Sequence, residues 1–96
     1  KQYPKQVEKY VSLARLLGLQ NFNTITTVRA LVNWVQFMDK EMNIPLSISQ
    51  MGNITESEYR EKIPAMADAA LADACTATNP KVPTKADVIE IYEDLW

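Results

Sequence analysis

Apolar residues recur every three or four positions along most of this chain, and nowhere do they alternate with polar ones over the length of a strand. Val7, Tyr10, Val11, Ala14 and Leu17 share one helical face, widened by Leu13. Lys5, Glu8, Ser12 and Arg15 fall on the other. Pro4 suits a first helical turn, where its missing N–H has no intrahelical partner to lose. Gly18 supplies a left-handed stop. The pattern predicts an amphipathic surface helix over about residues 4–17.

Gln20 to Asn23 form a polar connection, with Thr24, Thr26 and Thr27 as rival N-caps for the next helix. Val28, Leu31, Val35, Met38 and Met42 then make a continuous seam at alternating three- and four-residue steps. Ala30, Val32, Trp34 and Phe37 widen it far beyond the ~100° stripe of an ordinary surface helix. Only Arg29, Asn33, Gln36 and Lys40 form a compact polar strip. Such a helix calls for cover on at least two sides, a large demand on 96 residues, and this points to further protein around it. The seam spans only two heptads, so a buried core is the better reading than a coiled coil. Trp34 and Phe37 are the candidate partner anchors.

Asn43 and Pro45 end this helix, and Ile44 to Ile48 lead into a single turn before Gly52. Thr55 with Glu58 is a capping box opening a third helix. Pro64 is expected to interrupt or restart it. Six alanines among residues 65–75 then make a slim, strongly helical segment that a neighbour can approach closely. Residues 76–83, with two prolines and three turn-prone polar residues, predict a loop. Thr84 with Asp87 is another capping box, and Val88, Ile89, Ile91, Tyr92, Leu95 and Trp96 give the last helix its apolar side. The fold class is all-α, in one domain with no internal boundary and no repeat.

Composition narrows the chemistry. The chain has no histidine, which excludes a Ser-His-Asp or Cys-His nucleophile, an HExxH helix and a His-bearing zinc site. Its two glycines, Gly18 and Gly52, cannot form a phosphate-cradling loop. A net charge of −2 is no electrostatic footprint for nucleic acid or an anionic membrane. The charge is uneven: residues 1–36 hold five cations and one acid, residues 37–96 five cations and eleven acids. This polarity reads as packing, since exposed charges contribute little. The one cysteine, Cys75, forms no internal disulfide and favours a reducing compartment. No apolar run is long enough to span a bilayer, and the opening KQYPKQVEKY does not read as a signal peptide. A start on Lys1 instead of Met suggests a fragment or a processed product.

The same-face carboxylates Glu58/Glu61, Asp87/Glu90 and Glu90/Asp94 read as solvated, with nothing to split their pKa values for acid–base work. No spaced series of acids makes a calcium loop. Asn53-Ile54-Thr55 fits the glycosylation sequon, but Thr55 is needed as a cap. Cys75 has no neighbouring cation in sequence to activate it, so it reads as a small apolar residue and not a nucleophile. Its position is what distinguishes it: it leads into a polar loop carried by helices, where ligand contacts concentrate.

The run Ala72-Asp73-Ala74-Cys75-Thr76-Ala77-Thr78-Asn79-Pro80-Lys81, followed by the helix from Thr84 to Tyr92, resembles the C-terminal end of the iron-containing (group III) alcohol dehydrogenases. These include lactaldehyde/propanediol dehydrogenases and bifunctional aldehyde–alcohol dehydrogenases. Asn43-Ile44-Pro45-Leu46-Ser47-Ile48, Ile63-Pro64-Ala65-Met66-Ala67 and Tyr10 to Gly18 agree in order, so the resemblance covers nearly the whole chain. Ala77-Thr78 stands where many members carry glycines.

The resemblance implies that residues 1–96 are the C-terminal portion of the helical domain of the dehydroquinate-synthase-like/iron alcohol dehydrogenase fold. The parent would be cytoplasmic and homo-oligomeric, and would transfer a hydride between NAD(P)(H) and a primary alcohol or aldehyde. Its Fe²⁺ (or Zn²⁺), held by one Asp and three His, and its dinucleotide-binding domain would both lie upstream. Within this chain the resemblance implies no catalytic, metal or cofactor residue. Cys75, Thr76, Asn79 and Pro80 would line the substrate pocket, and the segment alone would be inactive. The alternative is a stand-alone all-helical protein-interaction module that uses the broad face of the second helix.

Overall fold

The computed structural model describes residues 4–19 and 22–96. Among these residues all regular structure is helical: α1 (Pro4–Leu16), α2 (Thr24–Glu41), α3 (Glu56–Ala72) and α4 (Lys85–Asp94), with 3-10 turns at Ser49–Met51 and Ala74–Thr78. They fall into two compact units, one running up to Leu46 and the other Ser47–Trp96.

The first unit packs α1 against α2. Helix α1 ends as its sequence requires. Gly18 takes φ 73°, and the N–H groups of Gly18 and Leu19 reach back to the Arg15 and Ala14 carbonyls at 3.0 and 2.8 Å. These are the two bonds that close a helix around a left-handed residue. Helix α2 ends the same way around Asn43, at φ 58°: Asn43 and Ile44 donate to Lys40 and Asp39 at 3.1 and 2.8 Å. Asparagine tolerates this conformation better than other non-glycine residues.

The start of α2 departs from expectation. Its N-cap is Asn23, not one of the three threonines. The Asn23 side chain accepts from the Thr26 N–H at 3.0 Å, and the Thr26 hydroxyl oxygen accepts from the Asn23 N–H at 3.2 Å. Asparagine caps at least as well as threonine. Thr27 is instead one of the few buried residues of this unit, with Ala14. The α2 seam expected to form a buried core is only partly covered. Val28, Leu31, Trp34 and Met38 are half-buried, while Val32, Val35, Phe37 and Met42 are about half exposed (47–59%). Two helices offer too little surface to cover a face so broad.

In the second unit α3 packs on α4 around Tyr59, Ile63, Ala67 and Val88. Ala67 has no exposed surface, so the helices meet across its methyl group, as the alanine run predicts. Tyr59 stacks on Trp96 with ring centroids 5.3 Å apart, and its hydroxyl donates to the Tyr92 carbonyl at 2.7 Å. Burial pushes the Tyr59 phenol above its ordinary pKa. Residues 48–49 close the end of this core: Ile48 N–H donates to the Leu95 carbonyl at 2.8 Å, and the Ser49 hydroxyl donates to the Trp96 carbonyl.

Both capping boxes read from the sequence form. Thr55 N–H donates to the Glu58 carboxylate at 2.9 Å and Thr84 N–H to that of Asp87 at 2.7 Å. Each threonine hydroxyl in turn accepts from the N3 backbone. The Thr55 hydroxyl, which donates to the Glu58 carboxylate at 2.6 Å, and then the Thr55 N–H hold the Glu58 carboxyl below its ordinary pKa.

Pro64 corrects a second expectation, because α3 runs through it without interruption. Its missing N–H leaves the Arg60 carbonyl without the usual donor. Both residues are exposed, so the Arg60 carbonyl is open to solvent and the cost of the missing bond is reduced.

Candidate functional site

The candidate site is the connection between α3 and α4, residues 73–84. Sequence reasoning predicts a loop over 76–83, but the first half is wound into the 3-10 turn Ala74–Thr78. Asp73 begins this turn. Its carboxylate accepts from the Cys75 N–H at 2.7 Å, the local capping that makes aspartate common at such starts. The Thr76 hydroxyl reaches back six residues to the Ala70 carbonyl in the last turn of α3, at 2.5 Å. The Thr78 hydroxyl donates to the Cys75 carbonyl at 2.8 Å. Asp73 and Thr78 thus bond backbone groups of the turn itself, while Thr76 adds a second donor to the Ala70 carbonyl at the end of α3, which also accepts from the Asp73 N–H at 3.4 Å.

The second half is fastened to α4. The Asn79 side-chain amide donates to the Lys81 carbonyl at 2.6 Å, which folds the chain over Pro80. The Lys81 ammonium pairs with Asp87 at 2.6 Å, and Lys85 of α4 pairs with Asp68 of α3 at 2.7 Å. Asp87 therefore joins the N-cap of α4 to the loop. Its carboxyl is held far below the ordinary range, first by the hydrogen bond from Lys81 and then by those from the Thr84 side chain and backbone.

The sign of this shift sets a pH dependence. The folded state favours the charged carboxylate, so the contribution is complete above the ordinary carboxylate range near ~4 and is lost progressively as pH falls from there through the much lower folded-state value. We expect Asp87→Asn at neutral pH to reproduce the acid-loosened loop. Amide protection over residues 81–88, corrected for the intrinsic exchange rate, should then be lower in the variant than in the parent sequence at pH 7, and the parent should retain part of its protection at pH 3, where the folded-state Asp87 is still ionised.

The four predicted pocket residues are neighbours in this connection, and they differ in what they present. Cys75 is exposed and outside any disulfide. Asn79 and Pro80 are exposed, and Thr76 is half-buried. The Thr76 hydroxyl proton is engaged by Ala70 and the Asn79 amide by Lys81. The Cys75 side chain and the Pro80 ring are thus the parts of the set that face outward without an internal bond. Asp73 and Thr78, absent from the predicted set, turn out to frame Cys75 on both sides. The N-cap preference of aspartate was the available signal for Asp73, while that of Thr78 depends on a 3-10 turn that proline-rich surroundings disguise.

The donor set for a metal is lacking. Among the described residues no group of three or more Cys, Asp or Glu side chains is disposed to hold a metal ion, and the chain has no histidine. The described residues do not fit an iron or zinc centre. No helix among the described residues is long and apolar enough to cross a membrane.

The whole sequence, residues 1–96, matches the family described as Fe-containing alcohol dehydrogenase family, C-terminal. This chain belongs to the iron-containing alcohol dehydrogenase family. Among curated relatives it is 31% identical over 90 residues to the NADPH-dependent butanol dehydrogenase of Clostridium saccharobutylicum, covering 94% of this chain and 23% of that protein. It is 33% identical over 91 residues to the lactaldehyde reductase of Escherichia coli K12, covering 93% and 22%. The aldehyde-alcohol dehydrogenase of Clostridium acetobutylicum is 30% identical over 90 residues, covering 94% and 10%. The chain thus spans less than a quarter of the length of these relatives. The resemblance read from the Ala72-to-Lys81 run leads to the family that the whole-chain match establishes, and the all-helical architecture of the described residues agrees with the C-terminal part of an iron-containing alcohol dehydrogenase.

Proposed function

We propose that this chain is one stretch of the helical domain of an NAD(P)(H)-dependent alcohol dehydrogenase, in which the connection from Asp73 to Thr84 forms a wall of the substrate cleft. The observation that carries the reading is the exposed Cys75 side chain, held on a turn that is hydrogen-bonded to α3, in a connection whose later residue Lys81 is ion-paired to Asp87 of α4. A wall that discriminates between substrates has to be rigid, and its contact atoms have to face outward. The substrates proposed are small primary alcohols and their aldehydes, the class named in the butanol and lactaldehyde relatives.

In this reading residues 1–96 form part of one domain without an internal boundary, a view supported by the single family match over the whole chain. Metal ligation and dinucleotide binding belong to other polypeptide of the parent enzyme. The parent is proposed to be a cytoplasmic homo-oligomer. What these residues do in the reaction is positional. Cys75 and Pro80 limit the room beside the substrate's hydrocarbon part, and Asn79 shapes the backbone around Pro80.

We expect residues 1–96 alone to bind neither NAD(P) nor Fe²⁺ or Zn²⁺ stoichiometrically. Isothermal titration of the isolated polypeptide checks this, and a saturable one-to-one heat would contradict it. A second reading, a free-standing interaction module, is favoured by one observation: the broad α2 face with Val32, Val35 and Phe37 about half exposed. Light scattering separates the two. Self-association and binding of an apolar dye are the outcomes expected of a segment that normally has cover, whereas a well-behaved monomer without dye binding favours the module.

A further inference from the structure

We propose that Thr76 is a positioning residue, which sets through its bond to the Ala70 carbonyl where the Cys75 side chain stands against the substrate. The inference rests on the reading of this connection as a cleft wall. Three observations carry it. Thr76 is half-buried beside three exposed neighbours, so it points back into the protein. Its hydroxyl crosses from the 3-10 turn to the last turn of α3, where the Ala70 carbonyl accepts it. The Cys75 backbone between these points is held at its N–H by Asp73 and at its carbonyl by Thr78.

The consequence is geometric. A helix end leaves its last carbonyls without intrahelical donors, and a side chain that supplies one fixes the following turn to the helix axis. With both its backbone groups bonded and its neighbour anchored, Cys75 keeps only the rotation of its own side chain. The Thr76 proton is engaged, so Thr76 acts on the substrate through Cys75 and not by contact. The Asp73 and Thr78 side chains hold the turn within itself; the Thr76 side chain ties its middle to α3, at the Ala70 carbonyl that also accepts from the Asp73 N–H.

The test uses the full-length enzyme that carries this chain, assayed with unbranched primary alcohols from ethanol to hexanol, with the thermal midpoint measured alongside. Thr76→Val removes the bond at nearly constant volume, Thr76→Ala removes it without adding apolar bulk, and Thr76→Ser retains it. The proposal expects Val and Ala to change the kcat/KM ratio between the shortest and longest alcohol by about 3- to 10-fold, the size of one lost hydrogen bond. The change should lie in KM more than in kcat, with Ser at the parent ratio. A lowered midpoint with an unchanged ratio in both variants overturns the positioning role, as does a Ser variant that behaves like Val. Cys75→Trp, measured in the same series, keeps the two levels apart. If it shifts the ratio while Thr76→Val and Thr76→Ala do not, the positioning role falls and the cleft wall stands. If it too leaves the ratio unchanged, the cleft reading falls and the proposal with it.

Discussion

Cys75→Trp in the full-length enzyme is expected to change which alcohols are accepted while leaving the fold largely intact. Cys75 is exposed on its 3-10 turn, and its backbone bonds to Asp73 and Thr78 do not depend on the thiol. An indole at this position therefore disturbs little inside the second unit, and surface substitutions of this kind usually stay within about 0.5 kcal/mol. At a cleft wall the same bulk excludes the longer members of a substrate series. One methylene in an apolar pocket is worth about 10- to 200-fold in discrimination, so a loss of about tenfold or more in kcat/KM for butanol relative to ethanol is expected. Kinetics over the alcohol series together with a thermal melt check it. Unaltered selectivity accompanied by a large fall in the melting midpoint would assign Cys75 to the interior instead.

The largest effect on stability is expected at Tyr59. Its ring is 5% exposed, lies 5.3 Å from the Trp96 ring and donates a 2.7 Å hydrogen bond to the Tyr92 carbonyl. Tyr59→Ala opens a cavity between α3 and α4 and removes one of the two donors to that carbonyl, the Leu95 N–H at 3.2 Å remaining. Burial of a large aromatic side chain sets the cost at about 3–5 kcal/mol. Tyr59→Phe keeps the ring and loses only the bond, a smaller cost of about 1 kcal/mol. Denaturant unfolding of the full-length protein, followed by Trp96 fluorescence against a Trp96→Phe control, measures both. Equal costs for the two substitutions would mean that ring packing contributes nothing, contrary to the buried geometry.

What the sequence made legible follows from the range of the interactions involved. The capping boxes at Thr55/Glu58 and Thr84/Asp87 and the stop at Gly18 are encoded within a few residues, and the structure has all three. Asn23 was harder to single out, because an asparagine and three threonines crowd five positions and any of them can cap. Pro64 misleads for a different reason. Its cost depends on whether the carbonyl four residues earlier meets water or protein, which local sequence does not state. The 3-10 turn at 74–78 is disguised by the prolines at 80 and 83, which break the chain only after the turn has closed.

The candidate site divides along the same line. Cys75, Thr76, Asn79 and Pro80 could be named because they form one contiguous string. What Thr76 does depends on a partner outside that string, Ala70, and the connection is fastened by two further pairings, Lys81 with Asp87 and Lys85 with Asp68. Hydrophobic periodicity carries no trace of these pairings. They separate a side chain facing outward, Cys75, from one turned back to the helix, Thr76. The broad α2 face shows the converse, since the pattern announced a surface in need of cover and the described residues leave much of it open.

Substrate protection of Cys75 tests the central claim most directly. The full-length enzyme is alkylated with iodoacetamide, with and without saturating primary alcohol and NAD(P), and modification at Cys75 is followed by peptide mass spectrometry. A cleft-wall position predicts that the alcohol slows alkylation of Cys75 several-fold and that modification abolishes turnover of the longer alcohols first. Equal rates with and without alcohol, with activity retained after complete modification, would place Cys75 away from the substrate and contradict the account.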